Sequence, residues 1–150
     1  MGENEQEHKL TLQLLKESLL KEASTSGLVS KPEPWEYPNH QLYLHYSDHP
    51  GAILVPQSLV EDNYSEWCQS MTMALTIKNK VGLVNGSSPR PTVQDNEQQQ
   101  WDQCDTLVKT WLIGSMSKAI SGSVKHCKTA RDIWLELQER VLSNQYCATL

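Results

Sequence analysis

The residues best suited to chemistry lie close together in one short segment of the chain. His45 and His49 are four positions apart with Asp48 between them, and on a helix that spacing directs two ligands to one metal ion. Pro50 and Gly51 follow immediately and disfavour a regular helix, because proline lacks the backbone donor that a helix requires. In a turn, proline presets φ and Gly51 permits a positive φ. We therefore predict a turn here rather than a metal site.

The same segment contains the side-chain types of a hydrolase triad, because Ser47, Asp48 and His49 are consecutive. Triad members meet through space, since neighbours along the chain cannot adopt the geometry of the proton relay. The sequence contains no Gly-x-Ser-x-Gly elbow, no glycine-rich nucleotide loop and no Asp-Thr-Gly or Asp-Ser-Gly motif, and such motifs mark common catalytic centres. We therefore predict a non-enzymatic protein with no cofactor and no small-molecule substrate.

The four cysteines do not have the spacing of a zinc site. Zinc ligands in small domains occur a few residues apart, so that local turns close on one ion. Here the cysteines are widely spaced and form no Cys-x-x-Cys pair, so we expect free thiols in the core. They are Cys68, Cys104, Cys127 and Cys147.

Length, charge and hydropathy restrict the class of protein. A chain of 150 residues with a formal net charge of −5 suits one small domain. The negative charge argues against a dedicated nucleic-acid binder, since such proteins usually carry a basic face. The acidic N-terminus does not have the pattern of a secretory signal, and no apolar run is long enough to span a bilayer. We expect a cytoplasmic protein with no membrane partner.

The first 62 residues divide into segments of different composition. Leucines among charged residues over 8–24 predict a helix. Several prolines then predict an extended linker, in which the proline- and tryptophan-containing stretch 32–37 is a candidate docking peptide. Residues 52–55 form an apolar run rich in β-branched side chains and predict a short extended or β segment.

Helical apolar spacing begins just after this point. A first helix is predicted to start after Asp62 or Asn63, with Glu66 in the third position of a capping box. A second long helix is predicted over about residues 96–116. The apolar face of the first helix contains Tyr64, Trp67, Met71 and Leu75, and that of the second contains Trp101, Cys104, Val108 and Trp111.

Two further helices complete the predicted core. Ser117 is expected to cap a short third helix, and Thr129 a fourth that has Asp132 at the box position. The fourth helix carries Ile133 and Trp134 on its apolar face. Because each buried tryptophan removes roughly 150–250 Å² from water, four of them build a core without phenylalanine. We predict a mainly α fold, a small helical bundle with a short extended or β segment before the first core helix.

Several spaced motifs occur in the order that characterises one known family. Over roughly residues 40–142 the sequence resembles the N-terminal Gag region of plant copia-type LTR retrotransposons, the copia-like N-terminal domain. The combination is more specific than any single motif, because both spacing and order agree. The motifs are Tyr43-Leu44-His45, Ser47-Asp48-His49-Pro50-Gly51, Ile53-Leu54-Val55-Pro56, Asn63-Tyr64-Ser65-x-Trp67, Met71-x-Met73-Ala74-Leu75, Lys78-Asn79-Lys80, Gly82-x-Val84-x-Gly86, Trp101-x-x-Cys104-Asp105, the Val108–Trp111 segment and Thr129-Ala130-x-x-Ile133-Trp134-x-x-Leu137-x-x-Arg140.

The resemblance implies a structural assembly protein rather than an enzyme. It implies self-association through protein–protein contacts, with RNA bound only weakly or through segments further downstream. It divides the chain into an N-terminal extension with a Pro-rich linker (1–42), the helical Gag domain (43–142) and a tail (143–150) that we expect to be truncated. The family-motif residues expected to have structural roles are Ser47, Asp48, His49, Pro50, Gly51, Asn63, Tyr64, Trp67, Met71, Trp101, Trp111, Ile133 and Trp134.

One motif receives a more specific role. Residues 43–61, called the entry segment below, are predicted to be extended or irregular. We expect residues 47–51, called the 47–51 turn below, to fix this segment against the first core helix. Two alternatives for function stay open beside the Gag interpretation. A domesticated adaptor would dock through the 32–37 stretch, and a weak RNA binder would use a small basic cluster. The basic cluster consists of Lys118, Lys125, Lys128 and Arg131.

Overall fold

The computed structural model describes residues 3–25 and 31–148. The chain divides into two compact units, residues 1–33 and 34–150. The predicted tail over 143–150 extends beyond the described residues at its last two positions. Within the described parts, no helix combines the length and the apolarity needed to cross a lipid bilayer.

The first unit contains one long helix, α1 (Glu3–Thr25), of 23 residues. The helix predicted over 8–24 lies within its bounds. Every side chain described along α1, from position 4 to position 19, is exposed to solvent. The leucines among these described positions therefore do not form a core in the way that those of the second unit do.

Among its described residues, the second unit has five α-helices, preceded by a one-turn 3-10 helix. α6 packs against both α3 and α4, which makes it central to the bundle. The prediction of a mainly helical bundle is confirmed, and the short α3 is an additional helix that was not predicted from the sequence. The elements are the 3-10 helix (Pro34–Glu36), α2 (Tyr64–Ile77), α3 (Gly82–Asn85), α4 (Asn96–Gly114), α5 (Lys118–Val124) and α6 (Ala130–Ala148).

The segment before α2 is extended and irregular. Its single described β-bridge joins Leu59 to Met116 in parallel, and the Leu59 amide donates to the Ser115 carbonyl at 2.8 Å. Residues 52–55, although rich in β-branched side chains, form no strand within this described segment. Pro56 follows them and supplies no backbone donor, so a ladder of hydrogen bonds cannot extend through it.

Two helices begin at the cap residues that were predicted for them. The Ser117 hydroxyl accepts a hydrogen bond from the amide of Ile120 at the start of α5 (3.5 Å). The Thr129 hydroxyl accepts one from the amide of Asp132 at the start of α6 (3.1 Å). Both hydroxyls satisfy amides that have no partner inside their own helix.

The capping box predicted for α2 is wrong. Asn63 occupies the N-cap position, but its side chain makes no cap hydrogen bond. Its Oδ1 atom accepts from the Val60 amide (2.8 Å), and its Nδ2 atom donates to the Ser58 carbonyl (3.0 Å). Asn63 therefore closes the preceding loop, since asparagine readily bonds to nearby backbone groups.

α2 ends in a Schellman motif built on Asn79. This residue has a left-handed φ of 56°. Its amide donates to the Thr76 carbonyl (3.0 Å), and the Lys80 amide reaches back to the Leu75 carbonyl (2.8 Å). Asparagine tolerates the left-handed conformation better than most residues do, so the Lys-Asn-Lys run ends the helix sharply.

Tryptophans join the helices to the loops of the second unit. Three indole N–H groups donate to backbone carbonyls that are distant in the chain. Each of these bonds satisfies the donor of a ring that is buried. A fourth, Trp134, packs on the ring of Trp67 with centroids 5.9 Å apart. Trp35 is half-buried and packs against the core. The bonded pairs are Trp67 with Ser115 (3.0 Å), Trp101 with Ser88 (2.9 Å) and Trp111 with His49 (2.8 Å).

Candidate functional site

The 47–51 turn consists of two consecutive hydrogen-bonded turns. The Asp48 amide donates to the His45 carbonyl (2.8 Å), and the Ala52 amide donates to the His49 carbonyl (3.1 Å). One carboxylate oxygen of Asp48 accepts the His45 amide (3.1 Å), and Ser47 Oγ lies 2.6 Å from His45 Nδ1. The polar side chains that suggested a triad are therefore used in local contacts that shape the backbone.

Pro50 and Gly51 occupy the two central positions of the second turn. The fixed φ of proline suits the first of these positions. The backbone of Gly51 is not left-handed, so the turn does not use the positive φ that glycine permits. An added Cβ there would lie 3.5 Å from His49 Nδ1, an ordinary contact. The turn therefore does not require glycine for steric reasons.

Two contacts attach the turn to the helices. Asp48 forms a salt bridge of 2.9 Å with Lys78 at the end of α2, and the Asp48 side chain is only 3% exposed. The Trp111 indole of α4 donates to the His49 carbonyl (2.8 Å). Lys78 Nζ lies 5.9 Å from the centre of the Trp111 ring, within the range of a cation–π contact. The turn is therefore bound to both α2 and α4.

Lys80 is a buried cation that the sequence did not reveal. Its ammonium group donates to the carbonyls of Tyr43 (2.7 Å) and Lys78 (3.4 Å), and its side chain is buried. Burial lowers the pKa of Lys80 below its ordinary value, because desolvation disfavours the charged form. The lysine thus ties the entry segment to the end of α2.

The Cys104 thiol of α4 contacts the backbone at Leu42, next to the Tyr43 carbonyl that Lys80 binds. Its Sγ atom donates to the Leu42 carbonyl at 3.3 Å, and Gln100 Nε2 donates to the same carbonyl at 2.7 Å. Burial raises the pKa of Cys104 to about 11, so the group is a neutral thiol near pH 7 and a poor nucleophile. Its free state agrees with the prediction for the cysteines, and Cys68 and Cys127 are free as well.

An open cleft of about 330 Å³ lies beside the 47–51 turn. Its walls come from the entry segment and from the end of α2 and include His45, Ser47 and Ile77. The charged groups at its walls are engaged in the contacts described above. In the described parts of the chain, no three metal-ligating side chains come close enough to hold an ion. The cleft therefore presents imidazole and hydroxyl groups beside paired charges.

The predicted family-motif residues lie in two regions of the second unit, the 47–51 turn and the helical core with the start of α2. Ser47, Asp48, His49, Pro50 and Gly51 form the turn on Trp111. Trp67, Met71, Ile133 and Trp134 are buried in the core, with Asn63 and the half-buried Tyr64 at the start of α2. Trp101 and Trp111 are buried in the same core, and the Trp101 indole donates to the Ser88 carbonyl.

The buried carboxylate of Asp105 was not predicted from the sequence. It accepts the Ala130 amide at 3.0 Å, and so a residue of α4 caps the first turn of α6. Burial raises the pKa of the Asp105 carboxyl above its ordinary value, even though the hydrogen bond favours the charged form. No local pattern reveals this contact, because the two residues are 25 positions apart.

Arg131 also has a different role from the one expected. The sequence placed it in a basic surface cluster, but its guanidinium donates to the Val84 carbonyl of α3 (2.9 Å). It also packs over Gly86, whose φ is +87° and where an added Cβ would lie 2.9 Å from the guanidinium carbon. The spacing Gly82-x-Val84-x-Gly86 was the available signal for this close approach.

Comparison with known proteins identifies the family. A family described as the Gag-polypeptide of LTR copia-type matches residues 45–92, and a second of the same description matches residues 71–148. The second match alone covers more than half of the chain. No curated protein and no solved structure matches the sequence. The chain therefore belongs to the Gag-polypeptide family of copia-type LTR retrotransposons and is a Gag-like structural module.

Proposed function

We propose that this chain is a non-enzymatic assembly module whose activity is binding to further copies of itself. The observation that carries the proposal is the match to copia-type Gag over residues 71–148. The polar groups of the 47–51 turn support it, because they bond to the backbone and to Lys78 in ways that shape the fold. We place this activity in the cytoplasm.

Exposed apolar side chains supply surface for such contacts. Met73 and Ile77 lie one turn apart on α2 and are both exposed, and Leu135 and Leu142 are exposed on α6. Apolar groups at a surface favour association, because contact removes them from water. These positions are distinct from the buried tryptophans that hold the bundle together.

RNA binding by this chain is expected to be weak. The net charge is −5, and Arg131 of the small basic cluster is bonded to a carbonyl of α3. Nucleic-acid affinity depends largely on cations that neutralise phosphates. We propose that strong RNA binding comes from other segments, which are more basic and act together with this domain.

Light scattering on the full chain tests self-association. The mean mass should rise with protein concentration and should rise further at high salt, because salt screens the repulsion between copies of charge −5. A monomeric mass at every concentration and both salt levels would contradict the proposal. Tight, salt-sensitive binding of single-stranded RNA by the monomer would favour the RNA-binding alternative.

A further inference from the structure

The sequence contains one Asn-Gly pair, Asn85-Gly86, and it lies at the end of α3. Asparagine is a chemically labile residue, and a following glycine favours its reaction, because no side chain shields the next amide nitrogen. Asn85 and Gly86 are exposed to solvent, whereas the flanking Val84 and Ser88 are buried. The pair is therefore accessible to water and hydroxide on an otherwise packed segment.

The Asn85 side chain is folded back along the following peptide. Its Oδ1 atom accepts a hydrogen bond from the Ser87 amide (2.9 Å), and the ring that this bond closes includes both Asn85 Cγ and the Gly86 nitrogen. The same bond polarises the side-chain carbonyl, which makes Cγ more electrophilic. The turn therefore holds an electrophilic carbon on the same side of the chain as the nitrogen that would attack it.

The Gly86 nitrogen is held by a long hydrogen bond in a short helix. Its N–H donates to the Gly82 carbonyl at 3.2 Å, and the Ser88 amide donates to the same carbonyl at 3.0 Å. Because α3 has only four residues and ends at the surface, this bond opens more readily than the bonds of the core. Local opening of α3 therefore frees the nitrogen for reaction, while Ser88 keeps the carbonyl bonded.

We propose that Asn85 is a site of spontaneous deamidation, at which an uncharged side chain becomes a carboxylate. The Gly86 nitrogen loses its proton and bonds to Asn85 Cγ. The Cγ–Nδ2 bond then breaks, and the amine takes up a proton and leaves as ammonia, so a cyclic imide remains. Water adds to either carbonyl carbon of the imide. Cleavage of the new Cγ–N bond gives aspartate, and cleavage of the original backbone C–N bond gives isoaspartate.

The two products should affect the contact between α3 and α6 differently. The Arg131 guanidinium of α6 donates to the Val84 carbonyl and lies over Gly86, where an added Cβ would be 2.9 Å from its central carbon. Aspartate leaves the backbone of α3 unchanged and still accepts the Ser87 amide. Isoaspartate lengthens the main chain by a methylene group and displaces Gly86 from its position under the guanidinium, so it should weaken this contact.

Peptide mapping of the full chain by mass spectrometry, after incubation at mildly alkaline pH, tests the site. Asn85 should deamidate at least about tenfold faster than Asn79, which is followed by lysine and is the internal control. The rate should rise with pH, because the attacking nitrogen must lose its proton. The matched variant Asn85→Gln should remain unmodified over the same period, since its longer side chain would have to close a larger ring.

Deamidation of Asn85 no faster than that of Asn79 would overturn the proposal. Melting curves test its structural consequence. The fraction that contains isoaspartate, identified by labelling with an isoaspartyl methyltransferase, should melt below the fresh protein, and Asn85→Asp should melt close to it. Equal melting of the isoaspartate fraction and the fresh protein would overturn the expected effect on the contact between α3 and α6.

Discussion

Helix α1 and the helices of the second unit place large apolar side chains in opposite surroundings. Trp111 and Met71 are buried in the second unit, and the Trp111 indole also bonds to a carbonyl 62 positions away in the chain. Leu12 and Leu15 of α1 are at least half exposed. Helical spacing of apolar residues is present in both regions, so spacing alone does not show where the core is.

The two regions therefore contribute differently to the protein. A side chain that is buried and bonded stabilises the fold, so its loss should lower the free energy of unfolding. An exposed side chain contributes little to folding and is available for contact with another molecule. Substitutions in the bundle core should therefore reduce stability, whereas substitutions at the exposed leucines of α1 should leave it almost unchanged.

The largest effect is expected at Trp111. Trp111→Ala removes a fully buried ring and its bond to the 47–51 turn, and it should lower the free energy of unfolding by about 3–5 kcal/mol. Urea denaturation measures this. Trp111→Phe, which keeps most of the buried volume, should lose less. Equal stability of Trp111→Ala and wild type would show that the turn and α4 are not coupled.

Two glycines should differ in their tolerance of alanine. Gly86 has a φ of +87° and lies under the Arg131 guanidinium, so Gly86→Ala should destabilise the protein by about 2 kcal/mol. Gly51→Ala, in a turn without a positive φ, should change stability by less than about 0.5 kcal/mol. Thermal melting of both variants checks this, and the reverse order would contradict the assigned backbone conformations.

Two salt bridges of the same length should differ because of burial. Asp48→Ala removes a buried carboxylate that bonds to Lys78 and to the His45 amide, and it should destabilise by about 1–2 kcal/mol. The matched control Asp102→Ala breaks an exposed pair with Arg90, and the loss should be clearly smaller, because water and salt screen the attraction between exposed charges. Equal losses in urea denaturation would show that the 47–51 turn does not support the fold.

Alkaline pH should weaken the bundle through Cys104. Because burial raises the pKa of this thiol to about 11, its contribution is complete below pH 9 and is lost as the pH rises toward 11. The lowered pKa of Lys80 acts in the opposite direction, since its deprotonation relieves a buried charge. In melting curves, Cys104→Ala should lose less stability than wild type between pH 8 and pH 11. An identical loss would exclude a role for the thiol.

The smallest effect on folding is expected in α1. Leu15→Gln replaces an exposed side chain, so the melting temperature of the second unit should not change, and the free energy of unfolding should shift by less than about 0.5 kcal/mol. Differential scanning calorimetry measures this. A loss as large as that of a core residue would show that α1 packs in the monomer.

The sequence was sufficient for features that depend on local pattern. The period of Trp67, Met71 and Leu75 identified the core face of α2, and the hydroxyls of Ser117 and Thr129 identified two helix starts. These signals act within a few residues, because helix faces and caps are set by spacing along the chain. The same reasoning failed at Asn63, since an asparagine side chain has several backbone partners within reach.

Other features depend on contacts between distant segments. The burial of Lys80 requires the carbonyl of Tyr43, and the cap that Asp105 gives to α6 requires α4 and α6 to pack together. The one-turn α3 is likewise bonded through the Val84 carbonyl to Arg131 of α6. From hydropathy and spacing, each of these side chains is predicted to be an exposed charge. Their partners are seen only in the folded structure.

Self-association is tested most directly by the mass of the full chain at sedimentation equilibrium, measured over a wide range of concentration. We predict a mass that rises with concentration above the 17.0 kDa of one chain. A mass of one chain at every concentration would show that this Gag-family bundle does not act by associating with itself.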